Sequence, residues 1–179
     1  MSALGRDGKR EVVLTGRLKP ALLRLNPDLP VEAIGGAVEK ICRDRTALSL
    51  VEANREIDKL LKQGVKVSFP DKENGGQRTE VVRVVDRLEP ENNDSLLASQ
   101  CWVAGELYLK RPDLVGFVNR LPQILIELKK PGVNVREAFG KNLCDYKGTI
   151  PQPFHYIVIL PQLIDRGAIF HRARGGVIG

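Results

Sequence analysis

Residues 111–129 read RPDLVGFVNRLPQILIELK, a stretch with the pattern of two strands joined by a tight turn. The short apolar run Leu114–Val118 is followed by turn-forming residues and then by the alternating run Gln123–Lys129. Side chains alternate between the two faces of a strand, so Glu127 and Lys129 share one face at the end of the second run. Because an ionised side chain is costly to bury alone, this pair of charges asks for a chemical explanation.

Asp113 opens the first of these two strands and precedes Glu127 by 127 − 113 = 14 positions. If the strands pair as a hairpin, both carboxylates lie at one edge of the sheet. Two carboxylates together with waters suit Mg²⁺. Lys129 could orient a water or stabilise negative charge developing on a phosphate, as phosphodiester hydrolysis requires. The residues alone also allow a surface ion pair, which contributes little to stability.

Composition indicates one domain with its own core, because the chain has 179 residues of which 42% are hydrophobic. The net charge of +6 favours an anionic partner, most commonly nucleic acid. The cysteines Cys42, Cys101 and Cys144 form no CxxC motif, which argues against a zinc site. The chain lacks a secretory h-region, an apolar run of membrane-spanning length and a GxxxxGK[ST] loop. We therefore expect a cytoplasmic protein, with no membrane partner, that does not itself hydrolyse ATP.

Hydrophobic periodicity and turn signals predict a mixed α/β order of elements. Residues 1–25 are interpreted as an N-terminal tail or edge segment, residues 26–160 as the main domain and residues 161–179 as a C-terminal extension. Trp102 is expected in the core. The predicted helices are Val31–Arg43, Ser49–Gln63 and residues 135–147, and the predicted strands are Val65–Phe69, Thr79–Asp86, Leu96–Ala104, the two strands of the hairpin and Phe154–Leu160.

The pattern Pro112-Asp113 … Glu127-Leu128-Lys129 resembles the PD-(D/E)xK nuclease signature. The whole stretch 111–131 resembles one branch of that superfamily, the N-terminal nuclease domain of the restriction (motor) subunit of type I restriction–modification enzymes. The order and spacing of further segments extend the resemblance over residues 25–160. These segments are Asn26-Pro27 with Leu29-Pro30, Gly64–Val67, Glu91–Asp94, and Ala138-Phe139 with Asp145–Lys147.

The resemblance implies an α/β restriction-endonuclease-like fold of the PD-(D/E)xK class, with a central mixed sheet flanked by helices. It implies that Asp113 and Glu127 bind Mg²⁺ and that Lys129 is the catalytic lysine. Members of the superfamily often add an acidic residue from the first helix. Glu32 and Glu39 are candidates for that additional ligand here, with Glu32 preferred; a solvated helix face is the alternative for both.

The resemblance also implies a Gln-x-x-x-Tyr motif on the following helix, where this sequence has Asn142 and Tyr146. Helical spacing places both residues on one stripe with Val135, Ala138 and Phe139. Asn142 and Tyr146 are thus expected to face the sheet or the edge of the site and to position DNA or Lys129, with core packing as the alternative. Nearby basic residues could contact phosphates: Arg111, Lys130, Arg136, Lys141 and Lys147.

The implied function is that of an endonuclease domain that cuts double-stranded DNA. In the full-length protein the resemblance implies a motor domain that uses ATP, absent from this chain, and association with modification and specificity subunits. Two alternatives remain open. One is a non-cleaving module of the same fold that binds DNA or a subunit, and the other is a PD-(D/E)xK nuclease of another DNA-processing system.

Overall fold

The computed structural model describes residue 6 and residues 8–71, 75–128, 135–164 and 167–172. Over these residues the chain forms a mixed α/β structure of helices and β-sheets. The helices are α1 (Thr15–Leu25), α2 (Val31–Cys42), α3 (Leu50–Gln63) and α4 (Val135–Thr149). The strands are β1 (Val65–Pro70), β2 (Gln77–Val82), β3 (Ser95–Ser99), β4 (Val103–Ala104), β5 (Leu109–Lys110), β6 (Leu114–Val118), β7 (Leu121–Leu128), β8 (Ile159–Ile164) and β9 (Gly167–Arg172).

Helix α3 shows how local sequence sets the ends of an element. The Ser49 hydroxyl accepts a hydrogen bond from the Glu52 backbone N–H, and the Glu52 carboxylate accepts one from the Ser49 N–H, at 3.3 and 3.1 Å. This reciprocal capping box satisfies backbone donors that the first turn would otherwise leave unpaired. Gly64 ends the helix with a φ of 75°, a left-handed value that glycine adopts without strain. The prediction of this helix is therefore confirmed to within one residue.

Helix α1 corrects the interpretation of residues 1–25 as a tail or edge segment. Residues 15–25 form a helix, and Leu18 and Leu22 on its inner face are fully buried in the main core. These leucines are four positions apart, which is the spacing of one helical face. Pro20 inside the helix and Gly16 in its first turn obscured the pattern, because both residue types disfavour helix interiors.

The main sheet has five strands in the order β3-β6-β7-β8-β9. Strand β7 lies at its centre, antiparallel to β6 and parallel to β8. Parallel neighbours need a crossover connection, and α4 supplies it between β7 and β8, as the sequence predicts. The other strands form two small antiparallel pairs, β1 with β2 and β4 with β5.

The turn between β6 and β7 contains only Asn119 and Arg120, because Val118 already pairs with Leu121. Both turn residues have positive φ values, 47° and 71°, as a two-residue hairpin turn of the I′ type requires. The Asn119 side chain is fully buried. It accepts a hydrogen bond from the Asp94 N–H at 2.8 Å and donates to the Val84 carbonyl and the Asn93 side chain at 2.9 and 2.8 Å. This network holds the hairpin against the loop before β3.

Three predicted strands differ from the structure. The strand predicted over Thr79–Asp86 is β2, Gln77–Val82, and ends four residues earlier than predicted. The strand predicted over Leu96–Ala104 breaks at Gln100, whose φ of 50° is left-handed, so that β4 leaves the main sheet and pairs with β5. The strand predicted over Phe154–Leu160 begins only at Ile159, because Gln152–His155 form a 3-10 turn. The Asn54 amide of α3 donates to the carbonyls of Phe154, His155 and Ile157 at 2.9–3.2 Å and holds this turn in place.

The C-terminal region also differs from the interpretation of residues 161–179 as an extension. Residues 161–164 continue β8 and residues 167–172 form β9, the edge strand of the main sheet. Residues 165–166 and 173–179 lie outside the described part of the chain. The predicted boundary at residue 160 therefore falls inside a strand, because the sheet register and not a composition change decides where β8 ends.

The largest buried cluster lies between α1, α2, α3 and the β1–β2 hairpin, and smaller clusters cover β6 and β7. The cluster under α4 contains Leu125 of β7 and Leu143 of α4. Burial of these side chains packs α4 against the end of β7. None of the helices in the described ranges combines the length and the apolar character needed to cross a membrane.

Candidate active site

The two predicted carboxylates lie opposite each other at one edge of the main sheet. Leu114 pairs with Ile126 in the antiparallel register of β6 and β7, so Asp113 and Glu127 occupy the next position across the two chains. The Leu128 backbone N–H donates a hydrogen bond to Asp113 Oδ2 at 2.8 Å, which holds this carboxylate against the end of β7. The hairpin and the placement of both residues at its open end are thus confirmed.

Glu127 is buried, with 7% of its surface exposed, and it faces helix α4. The Tyr146 hydroxyl donates to Glu127 Oε1 at 2.8 Å. The Asn142 amide lies 3.4 Å from Oε2, at the outer limit of a hydrogen bond. Residues 142 and 146 are four positions apart and therefore share one helix face. Both side chains thus face Glu127 at the end of β7, in agreement with the prediction that they face the sheet or the edge of the site.

The pKa of the Tyr146 hydroxyl depends on both carboxylates. Burial raises its pKa above the usual value of 10.0, and the hydrogen bond to Glu127 and the negative charges of Glu127, Asp113 and Asp145 raise it further. Asp113 and Glu127 thus act on the same hydroxyl. Because the tyrosine remains protonated over the whole neutral range, it is a permanent hydrogen-bond donor to the buried carboxylate.

Helix α4 is held over the site from two sides. Below it, Leu143 belongs to the same buried cluster as Leu125, the residue that precedes Glu127 on the same face of β7. At its side, the Lys110 ammonium of β5 forms an ion pair of 2.7 Å with the Asp145 carboxylate. Both contacts restrict the movement of the helix. Tyr146 and Asn142 are therefore held in position to donate hydrogen bonds to Glu127.

The remaining predicted site residues are not joined to this pair by the described contacts. Lys129 lies outside the described residues. Glu32 is exposed at the start of α2 and lines a cavity together with Phe69, Asp71 and Arg78 of the β1–β2 hairpin. Glu39 is exposed on the same helix. Over the described ranges no group of three or more His, Cys, Asp or Glu side chains is clustered as for a metal ion.

Sequence reasoning missed the surroundings of Trp102, which it placed in the core. The ring is 39% exposed, and the Lys9 ammonium and the Arg111 guanidinium lie 5.2 and 5.1 Å from its centroid. The break at Gln100 turns Trp102 out of the main sheet. No local pattern connects residue 9 with residue 102, so the only available signal was the accumulation of basic residues around the site.

Comparison with known proteins places these features in a family. The family model described as the type I restriction enzyme R protein N terminus matches residues 2–170. The chain is 35% identical over 149 residues to the type I restriction enzyme HindI endonuclease subunit of Haemophilus influenzae, a match that covers 81% of this chain and 14% of that protein. It is 32% identical over 165 residues to a provisionally named protein of Methanocaldococcus jannaschii, the type I restriction enzyme MjaIXP endonuclease subunit, with 87% of this chain and 15% of that protein covered. The chain thus spans about a seventh of the length of these relatives.

Proposed function

The chain belongs to the family of the type I restriction enzyme R protein N terminus, and from this membership we propose that it is a Mg²⁺-dependent endonuclease domain that hydrolyses phosphodiester bonds of double-stranded DNA. One observation carries the proposal. Asp113 and Glu127 face each other at the open end of the β6–β7 hairpin, and Glu127 is held there by the Tyr146 hydroxyl. A carboxylate that is buried and oriented in this way is preorganised to bind a ligand and does not serve merely as a solubilising surface charge.

The donor set fits Mg²⁺. This ion takes oxygen ligands in octahedral geometry and keeps several waters, so one or two protein carboxylates suffice. Asp113 and Glu127 would hold it, and the two carboxylates that lie together among the described residues are compatible with this mode of binding. When bound, the ion supplies positive charge next to the scissile phosphate and lowers the pKa of a water.

The protein residues have separate tasks in this proposal. Tyr146 and, more weakly, Asn142 orient Glu127, and the Leu128 N–H orients Asp113. Lys129 follows Glu127 by two positions, the spacing of one strand face in the sequence pattern, and its ammonium would hold the attacking water or stabilise charge on the phosphate. A role of Asn142 and Tyr146 in positioning DNA is part of the proposal as well.

Glu32 as an additional metal ligand stays a prediction. Its cavity is lined by residues of α2, of the segment before α2 and of the β1–β2 hairpin, none of which belongs to β6 or β7. The site proposed here therefore rests on Asp113 and Glu127.

We propose the PD-(D/E)xK fold for the chain on the order of its central elements. The antiparallel pair β6–β7, the helix α4 and the parallel strand β8 follow one another and surround the two carboxylates. Family membership further supports a role in a type I restriction enzyme. In the complete protein this domain would act with an ATP-driven motor domain and with modification and specificity subunits.

A plasmid-nicking assay with purified chain and Mg²⁺ tests the function. We expect Glu127→Gln and Asp113→Asn each to lower the nicking rate by about a hundredfold, the scale of removing one group that stabilises developing charge. Glu91→Gln is the matched control, because Glu91 is an exposed carboxylate on the 3-10 turn at Pro90–Asn92.

Mg²⁺ should also raise the melting temperature of the wild type and of Glu91→Gln but not of Glu127→Gln, since only a ligand that binds the folded state stabilises it. Nicking that survives both site substitutions would falsify the site. Salt-dependent DNA binding without nicking at any Mg²⁺ concentration would favour the non-cleaving module instead.

A further inference from the structure

The Trp102 cluster, which comprises Trp102, Lys9 and Arg111, lies outside the site described above. Lys9 Nζ and Arg111 Cζ lie 5.2 and 5.1 Å from the centroid of the indole ring, within the range of cation–π contact. Lys9 and Arg111 are exposed, and the ring is 39% exposed. Two cations thus share one partly exposed aromatic surface.

Backbone contacts hold the cluster in place. The Ala104 N–H of β4 donates to the Lys9 carbonyl at 2.9 Å, which fastens the N-terminal segment to the β4–β5 pair. The Arg6 guanidinium donates to the Trp102 carbonyl at 2.5 Å and brings a third cation to the same place. Basic residues from two distant parts of the chain therefore converge on one tryptophan.

The charges of Lys9 and Arg111 are not neutralised by any carboxylate in the described part of the chain. Neither residue has a carboxylate within ion-pair distance among the residues that the structure describes. Lys110, by contrast, is paired with Asp145. Cations that are oriented by a ring but lack an acidic partner form a ready binding place for an external anion.

The cluster lies next to the candidate active site. The Gln100 N–H donates to the Asp113 carbonyl at 2.7 Å, which ties the segment before Trp102 to the start of β6. Arg111 precedes Asp113 by two residues in the same segment. The cations and the carboxylates therefore lie at the same end of the β6 strand.

We propose that Lys9 and Arg111, held on the Trp102 ring, each bind a phosphate of the DNA backbone beside the candidate active site. The inference rests on the proposed function for the identity of the anion as DNA. A phosphodiester is favoured over an acidic protein segment because the charges adjoin the proposed hydrolytic carboxylates and the chain carries a net charge of +6. The contact is with phosphate and therefore carries no base specificity.

Binding of a dye-labelled 30-bp duplex, measured by anisotropy in EDTA between 50 and 300 mM salt, tests the proposal without any cleavage. Each phosphate contact contributes about 0.9 to the slope of log K against log salt. Lys9→Gln/Arg111→Gln should therefore lower the slope by about 1.8 and weaken binding roughly 60-fold at 0.1 M salt. The matched control is Lys19→Gln/Lys66→Gln, which removes two exposed lysines on α1 and β1. It lowers the net charge by the same amount as the test variant, so any weakening of its binding measures the general effect of charge. Apart from that effect it should bind like the wild type.

Trp102 provides a second readout because it is the only tryptophan of the chain. Its fluorescence should change when the unlabelled duplex is added to the wild type, and this change should require about 60-fold more duplex in the double variant. Far-UV circular dichroism melting confirms that both double variants fold, as expected for exposed lysines and arginines.

The outcomes separate this inference from the proposed function. A double variant that binds with the wild-type slope, or that weakens no more than its control, overturns the inference even where the wild type nicks plasmid. A selective loss of binding supports it even where nicking is absent. Binding of poly-glutamate more tightly than duplex, with the same dependence on Lys9 and Arg111, overturns it in favour of an acidic protein partner.

Discussion

Tyr146→Phe removes one atom from the candidate site and leaves the shape of the side chain unchanged. That atom, the phenolic oxygen, donates to Glu127 Oε1 at 2.8 Å, and the carboxylate it reaches is 7% exposed. Asn142→Ala is the natural comparison, because its amide lies 3.4 Å from the other oxygen of the same carboxylate. Comparing the two substitutions therefore measures how much each donor stabilises the position of Glu127.

The expected magnitudes follow from these distances. A hydrogen bond to an ionised group contributes about 1.5–3 kcal/mol, and the half-buried position of Tyr146 favours the lower end, so Tyr146→Phe should lower the free energy of unfolding by about 1.5 kcal/mol. At 3.4 Å the amide of Asn142 is at the limit of hydrogen bonding and contributes roughly 0.5 kcal/mol or less. Alanine is also the better helix former by roughly 0.5 kcal/mol, so Asn142→Ala should be close to neutral.

Urea unfolding at pH 8 in EDTA, followed by circular dichroism, measures both values. The pKa of Tyr146 is raised in the folded state, so its stabilising contribution is fully present below the unfolded value near 10.0 and is lost as the pH rises through the folded value. At pH 8 the difference between Tyr and Phe is therefore complete. A loss below about 0.5 kcal/mol for Tyr146→Phe, or a larger loss for Asn142→Ala than for Tyr146→Phe, would refute the assignment of the hydroxyl as the main donor to Glu127.

Three further predictions concern the scaffold around the site. Asn119→Ala should cost about 3 kcal/mol in urea unfolding, because it abolishes three side-chain hydrogen bonds of a fully buried residue; a loss below about 1 kcal/mol would contradict the proposed hold on the hairpin turn. Gly105→Ala should destabilise by about 1–3 kcal/mol, since its Cβ would lie 2.0 Å from the Thr149 carbonyl oxygen, whereas Gly148→Ala, with no atom within 4 Å, should be neutral or stabilising; equal effects on the melting temperature would count against this close approach. Burial raises the pKa of Tyr156 from 10.0 to about 12, so about 2 kcal/mol of stability should be lost as the pH rises from 10 to 12, and Tyr156→Phe should lose correspondingly less in urea unfolding over that range.

The features that the sequence predicted correctly are those encoded by residues close together in the chain. Helix α3 carries its start signal in Ser49 and Glu52 and its end in Gly64, all of which act on neighbouring backbone groups. The β6–β7 hairpin follows from two apolar runs around a turn, and the spacing of 14 residues then places Asp113 opposite Glu127. The common face of Asn142 and Tyr146 on α4 follows from the helical repeat.

The errors arose where a distant part of the chain determined the local conformation. The strand predicted at Phe154 is a 3-10 turn because the Asn54 amide of α3 binds its carbonyls. Strand β9 forms by pairing with the edge of β8. No sequence pattern within residues 167–172 indicates this pairing. Helix α1 depends on burial of its leucines against α2, which outweighs the unfavourable Pro20.

By itself, then, the sequence determined the hairpin, the helix that follows it and the placement of Asp113 opposite Glu127, because period-2 and period-3.6 patterns and turn residues act over a few positions. Only the tertiary structure decided that the Tyr146 hydroxyl binds Glu127 more closely than the Asn142 amide does, and that Lys9 meets Trp102 and Arg111. The physical reason is that such contacts depend on the depth at which α4 packs and on the break at Gln100. Packing depth is set by the volumes of side chains from several elements at once, and no single stretch of sequence contains that information.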